Sequence, residues 1–291
     1  MFCMIIAMLE TLRGYVTEHP YLAGVGAVTV LVGLHKVVKA RRNREAKNYP
    51  PNTVILFQWQ RGPYAPSVSP FPLKLETYLR MSKIPYQNDY SGKFSKKGKT
   101  PFIIYNGENI PDSQFCIEYL NKKLNIDNNK YLNQTERAVA TAFQAMIDEH
   151  LYWTMVVFRW VYNKEQEIIK NYVIRSPLLR IYLNRLVYKQ TYDQGIGRHS
   201  PEEVKHIMLT DLQALSDYLG DKPFLMGDNP CDVDCSAFGL LAQILWHAPE
   251  HNNLIPNSFP SLHRYCLRMK EKFWPDWDDC ITHGGTRKSI A

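Results

Sequence analysis

Asp112-Ser113 stands where the chain turns from an extended to a helical pattern, and the pair is a candidate for binding chemistry. A helix start presents unpaired N–H groups and the positive end of its dipole. An acid and a hydroxyl there either cap the helix or help to receive a carboxylate-bearing ligand. Lys93, Lys96, Lys97 and Lys99 lie just upstream, as a solvated basic loop or as an attraction for a carboxylate or anionic headgroups. Cys231 and Cys235 are four apart and could share a helical face. Two thiolates without two further ligands in register do not make a zinc site, so helix-start and core roles are the simpler reading, and no metal is expected. His247 and His251 flank Pro249 and are not a helical metal pair, while His150, beside Glu149, has no partner identifiable from the sequence. Trp153 and Trp160 are seven apart, which reads as one helix face used for packing between domains.

The elements that must position these groups are legible in the pattern. Thr53 to Trp59 is β-branched and aromatic, a buried strand. A Gly/Pro/Ser loop from Arg61 to Pro70 leads to a helix through Leu73, Leu75 and Leu79, with Pro72 suited to its first turn. A second short strand is expected near Tyr86 to Tyr90, and a third at Phe102 to Tyr105. Asn106-Gly107 reads as a hairpin turn, Glu108 to Ile110 as a fourth strand, and a helix follows from Asp112. Asp127 to Lys130 is a polar linker. From Asn133 the pattern is helical: Glu136 to Val161, Leu178 to Leu186, Glu202 to Leu219, Val233 to Trp246 and Leu262 to Lys272. The expected division is a membrane anchor and basic segment at 1–50, a β-α-β-β-α domain at 51–126, an all-α domain at 133–275 and a tail at 276–291.

That order resembles the glutathione transferase fold, a thioredoxin-like domain followed by an α-helical domain. Thr100-Pro101-Phe102-Ile103, then Asn106-Gly107, Ile110 to Gln114 and Ile117 to Leu120 are similar to the thioredoxin-like half of that superfamily. Leu225 to Asp234 is similar to the motif before its core helix. Ser69 to Arg80 and Glu149 to Thr154 resemble the failed-axon-connections branch, which groups with metaxins and the cadmium-responsive proteins of nematodes. The resemblance covers about residues 50–275. The fold class it implies is α/β plus all-α.

The resemblance also implies a site. Pro101 is similar to the cis-proline of the family. A cis bond there would expose the Thr100 backbone, which in the family pairs with the cysteinyl part of glutathione. Asp112-Ser113 resembles the acid-Ser pair that holds the γ-glutamyl end, with simple helix capping as the alternative. The residue that activates the thiol should lie in the loop before Leu73. Ser69 stands where redox-active relatives have the first Cys of a CPxC-like motif, and Pro72 stands at the second, so thiol–disulfide chemistry is excluded there. Ser69 could donate to a thiolate or merely cap the helix, and Tyr64 and Ser67 are competing donors. Catalysis stays open. Cys231 to Asp234 resembles the capping box of the family with a thiol in place of the usual hydroxyl.

Charge places the chain in a compartment. Its 291 residues carry 35 basic and 28 acidic groups, a net +7. Seven basic groups and three acids fall in residues 1–50, and six of the seven lie between Lys36 and Lys47. They follow an uncharged run from Pro20 to Leu34. With Lys36 snorkelling, a span from Tyr21 to Val38 would reach roughly 27 Å, long enough for a short transmembrane helix. A cleaved signal peptide and a buried helix are the alternatives. Positive charge after the run argues for an anchor, with the rest of the chain on the cytosolic side. The endoplasmic reticulum and the mitochondrial outer membrane both suit a short span. Six scattered cysteines without a CxxC pair fit a reducing cytosol. The nearly balanced remainder, lacking any recognition motif, excludes nucleic acid as a partner.

Two functions are expected from the resemblance. One is a membrane-anchored binding or adaptor module with roles in axon development or stress response. The alternative is a glutathione-dependent transferase in detoxification, including a cadmium response. Protein partners and a homodimer both stay open.

Overall fold

A computed structural model describes residues 49–174, 176–248 and 253–282. The chain divides into two units, residues 1–51 and 52–291, and every element below belongs to the second. The expected anchor, within residues 20–38, lies outside the described residues. Among the described residues no helix is long and apolar enough to cross a membrane.

The first elements are β1 (Val54–Phe57), α1 (Pro70–Met81), β2 (Tyr86–Asp89), β3 (Phe102–Tyr105), β4 (Glu108–Pro111) and α2 (Ser113–Leu124). They form one four-stranded sheet in the order β2-β1-β3-β4. β1 runs parallel to β2 and antiparallel to β3, and β3 and β4 form the expected hairpin. Asn106 and Gly107 both take left-handed φ at its turn, which is why an Asn-Gly pair serves there. β1 is central and wholly buried, so it reads as a continuous apolar run rather than an alternating one.

The helical part comprises α3 (Gln134–Ala145), α4 (Tyr152–Val157), α5 (Pro177–Gln194), α6 (Pro201–Leu219), α7 (Asp232–His247), α8 (Leu254–Ser258) and α9 (Pro260–Phe273). α3 and α4 are the expected long helix, but π-helical turns at Met146–Leu151 and Phe158–Tyr162 interrupt it, each widening the helix by one residue. Trp153 and Trp160 are both half-buried against the main core. Asn133 and Ser200 open α3 and α6 with complete capping boxes.

Two layers of burial meet at α1. Leu75 and Leu79 join Val54, Leu56, Ile103 and Leu120 in the core around the sheet, while Leu73 joins the core of the helical part. α7 is buried along nearly its whole length. Its Gly239 lets α1 approach closely: a Cβ there would lie 2.7 Å from the Pro70 carbonyl oxygen. Cys231 and Cys235 end in different cores, and burial raises both thiols far above their usual range. The Cys231 N–H donates to Asp234 at 2.8 Å, and the thiol donates to the same carboxylate at 3.3 Å.

The stretch from 276 to 282 packs rather than trails. Trp277, Cys280 and Ile281 are buried, and Thr282 donates its N–H to the Gly62 carbonyl at 2.9 Å.

Candidate functional site

The site is assembled at one end of the sheet. In register, Asp89, Phe57, Phe102 and Pro111 form a single row across β2, β1, β3 and β4. The Phe57 and Phe102 rings stack at 4.3 Å and fix that row. Thr100-Pro101 immediately precedes the row on β3, and Asp112-Ser113 immediately follows it on β4. The loop from Gln58 to Ser69 leaves the same end of β1. Strand pairing therefore brings the end of β1 together with the two segments that flank the β3–β4 hairpin.

The Thr100–Pro101 peptide is cis, as the resemblance implies. Ser113 is buried at the start of α2, and Asp112 is its N-cap, accepting from the Gln114 N–H at 3.1 Å. The capping alternative is thus realised, yet it does not use the whole carboxylate. Oδ2 of Asp112 pairs with the Lys99 ammonium at 2.5 Å. Asp112 also adopts φ +80°, a region that disfavours a side chain. A non-glycine residue held there is typical of a site in which the surroundings dictate the backbone. Lys97 lies 5.2 Å from the Phe115 ring and Lys93 5.7 Å from the Phe57 ring, so the basic loop folds over the same end of the sheet.

The three donor candidates of the loop have different surroundings. Tyr64 is buried, leaving little of the ring in reach of solvent. Ser67 is fully buried and its hydroxyl accepts from the Ser69 N–H at 3.2 Å. Ser69 is the N-cap of α1 by backbone geometry, but its side chain makes no capping bond. It is also only half-buried, so its hydroxyl is the one left available beside a helix N-terminus.

The loop's main chain is held by side chains that the sequence reading missed. His247 Nε2 accepts from the N–H groups of Tyr64 at 3.3 Å and Ala65 at 3.2 Å. Its Nδ1 faces Gln243 Oε1 at 3.1 Å, so a neutral ring protonated on Nδ1 satisfies these three contacts. Gln243 in turn donates to the Ser67 carbonyl at 3.0 Å, and Arg159 donates to the Val68 carbonyl at 2.7 Å. The available signal was Gln243 and His247, one turn apart in the otherwise apolar run from Ala237 to His247. Such residues are kept in a core only when every polar atom finds a partner.

A second clamp holds the loop from the other side. Glu76 on α1 is completely buried and receives Arg61 through two bonds of 2.7 and 2.8 Å. Gln58, Asn88 and Tyr86 complete its shell. Burial would raise this carboxyl, but the hydrogen bonds and charge of Arg61, with Gln58 and Asn88, outweigh it and hold the group below its usual range. Arg80 lies 3.9 Å from the same carboxylate, pairs with Asp276 in fork fashion and sits 3.8 Å from the Trp274 ring. His150 also has a partner after all: its Nδ1 lies 2.7 Å from Asp211 on α6. Among the described residues no group of three His, Cys, Asp or Glu side chains is placed to hold a metal.

Comparison with known proteins agrees with this architecture. A family model described as the glutathione S-transferase N-terminal domain matches residues 70–166, and one for the C-terminal domain matches residues 208–269. "Failed axon connections" of Drosophila melanogaster is 34% identical over 263 residues, 82% of this chain and 62% of that protein. The isoprene-epoxide–glutathione S-transferase of Rhodococcus sp. (strain AD45) is 31% identical over 193 residues, 62% of this chain and 81% of that one. Metaxin-1 of Macaca fascicularis is 26% identical over 249 residues, 77% of this chain and 75% of that one. The chain belongs to the glutathione S-transferase-like family of the failed-axon-connections and metaxin type. In that family's terms, β1 to α2 are the thioredoxin-like domain and α3 to α9 the helical domain. Glutathione S-transferase unclassified 2 from Bombyx mori has the same fold, with a TM-score of 0.53 at 17% identity over 81% of this chain and 98% of that one.

Proposed function

We propose that this glutathione S-transferase-like protein is a binding or adaptor module of the failed-axon-connections type, held at a membrane by its N-terminal segment and facing the cytosol. Its ligand is glutathione or a related γ-glutamyl thiol, and its roles lie in axon development or stress response. The observation that carries the binding reading is the juxtaposition of Thr100-Pro101 with Asp112-Ser113 across the β3–β4 hairpin. The N–H groups and buried hydroxyl at the start of α2 suit a carboxylate, and the Lys99–Asp112 pair supplies both signs of charge for a zwitterionic ligand. Support for the biological role comes from the name of the Drosophila relative, and support for anchoring from the apolar run and basic collar of residues 20–47.

A glutathione-dependent transferase is the second reading. One observation favours it: the Ser69 hydroxyl is not spent on capping, so it can donate to a thiolate at a helix N-terminus.

Calorimetry of the full chain with glutathione tests the first reading. Binding is expected, weakened about tenfold or more by Asp112→Ala and by Ser113→Ala, since a charge-assisted hydrogen bond is worth about 1.5–3 kcal/mol. No detectable heat at millimolar glutathione would refute it. If glutathione binds, conjugation to a model aryl halide that collapses in Ser69→Ala, with binding retained, supports the transferase. Equal conjugation by the two proteins would count against it.

A further inference from the structure

Seven of the ten large apolar side chains exposed among the described residues lie on one helix, α5: Leu178, Leu179, Ile181, Tyr182, Leu186, Tyr188 and Tyr192. Eighteen residues make it roughly 27 Å long. Its underside is anchored: Thr191 is buried, Val187 packs on the main core, and Asn184 donates to Gln166 at 3.1 Å. The opposite face carries Leu178, Tyr182, Arg185, Lys189 and Tyr192 at alternating spacings of four and three, and all five are exposed. Leu178 is 80% and Tyr182 63% exposed.

Two features say what covers this face. Its charge is positive: Arg185 and Lys189 stand against Asp193, which Lys189 already holds at 2.5 Å. Arg198 adds a further cation beside Tyr192, 5.0 Å from its ring. The apolar, aromatic and basic groups are also mixed on one surface, where Leu178, Tyr182, Arg185, Lys189 and Tyr192 follow one another. A second copy of the same face would set Arg185 and Lys189 against like charge, and protein interfaces are depleted in Lys. A lipid surface accommodates all three groups together. Leu and Ile sink to the acyl boundary, Tyr sits at headgroup level, and Arg and Lys snorkel to anionic headgroups.

We propose that α5 is an interfacial helix that lies on an anionic phospholipid surface. This contact is independent of the anchor assigned to residues 20–38, because it uses only groups on α5 and its flank. Two membrane signals on one chain would bind cooperatively, since the first makes the second intramolecular.

The test is depth-resolved fluorescence quenching on the full chain, carrying Cys3→Ser and a single introduced label site. An environment-sensitive dye is placed at Tyr182→Cys, or at Leu178→Cys should the first variant fail to fold. A matched label at the exposed Lys122→Cys on α2 reports a position outside α5, and a sample with no introduced cysteine provides the background. The protein is reconstituted into phosphatidylcholine vesicles with and without phosphatidylserine, each containing shallow nitroxide-labelled lipid. Quenching at position 182 is expected to exceed that at 122 several-fold with phosphatidylserine. It should fall in phosphatidylcholine alone and in Arg185→Glu/Lys189→Glu. Equal quenching at the two positions overturns the proposal. Equal quenching at 182 in the two vesicle types overturns the anionic assignment. Lipid-independent energy transfer between copies labelled at 182 would show that a second chain covers the face instead. Because the readout is local to α5, failure of the anchor reading leaves these outcomes distinguishable.

Discussion

Asp276 and Arg80 show how single residues fix the position of the site from a distance. The Arg80 hydrogen bonds hold the Asp276 carboxyl down at about 2, and Glu76 is also held low, against its burial, by Arg61 with Gln58 and Asn88. Both are acids with depressed values in the folded state. Their contributions are therefore present above the unfolded carboxylate range of about 4 and are lost as pH falls through the folded values. Chemical unfolding from pH about 7 down to about 2 should show stability declining below pH about 4. Asp276→Asn should be less stable than wild type near neutrality and should decline less steeply in acid; parallel curves would exclude the ion pair as a cause. At this scale the sequence indicated which residue types stood near the site. Asp112, Ser113 and the cis bond before Pro101 lie where the motifs placed them, because a hairpin and a helix start are local features. His247, Gln243 and Arg159 were not legible as the holders of residues 64–68, because their partners are main-chain atoms about 90 to 180 positions away.

Among the elements, α1 carries the largest burden. Its face toward the sheet and its face toward α7 are both buried, so an amphipathic pattern is only half of what it needs. Gly239 is the reason α7 can lie against it. The nearest atoms to a Cβ at 239 are the Pro70 oxygen and the Lys74 nitrogen, main-chain atoms that cannot swing aside. Gly239→Ala should therefore cost about 1–3 kcal/mol despite the better helix propensity of alanine, read as a lowered urea midpoint. An unchanged or raised midpoint would mean that the two helices separate without cost. The periodicity of α1, α6 and α9 was readable in advance because their polar and apolar sides differ. The π-helical turns near Met146 and Phe158 were not, because nothing in residue spacing marks where a helix admits an extra residue.

For the whole molecule, the junction between the thioredoxin-like and helical domains rests on a buried charge pair as well as on apolar packing. Lys74 is 1% exposed and meets Asp148 at 2.6 Å. The two ends differ, since the Asp148 side chain keeps 15% of its exposure and Lys74 almost none. Removing the acid strands a buried ammonium, so Asp148→Ala should cost about 3–5 kcal/mol. Lys74→Met leaves a carboxylate that water can reach and should cost markedly less, and Lys74→Met with Asp148→Leu should restore most of the loss. Equal costs for the two single variants, measured by equilibrium unfolding, would contradict this account. A full-chain preparation suits the measurement, because residues 276–282 pack on the site loop through Thr282.

The sequence by itself determined the order of strands and helices, the two-domain family and the positions of Thr100, Pro101, Asp112 and Ser113. Each of these depends on periodicity, turn chemistry or a motif within a dozen residues. Tertiary structure alone decided that Ser67 and Tyr64 are buried while Ser69 keeps an available hydroxyl, that His150 meets Asp211, and that a histidine and a glutamine deep in α7 hold the loop. It also decided that α5 presents its leucines and tyrosines to the outside. Burial is a property of what lies opposite a residue, and the chain within a few positions of that residue does not contain that information.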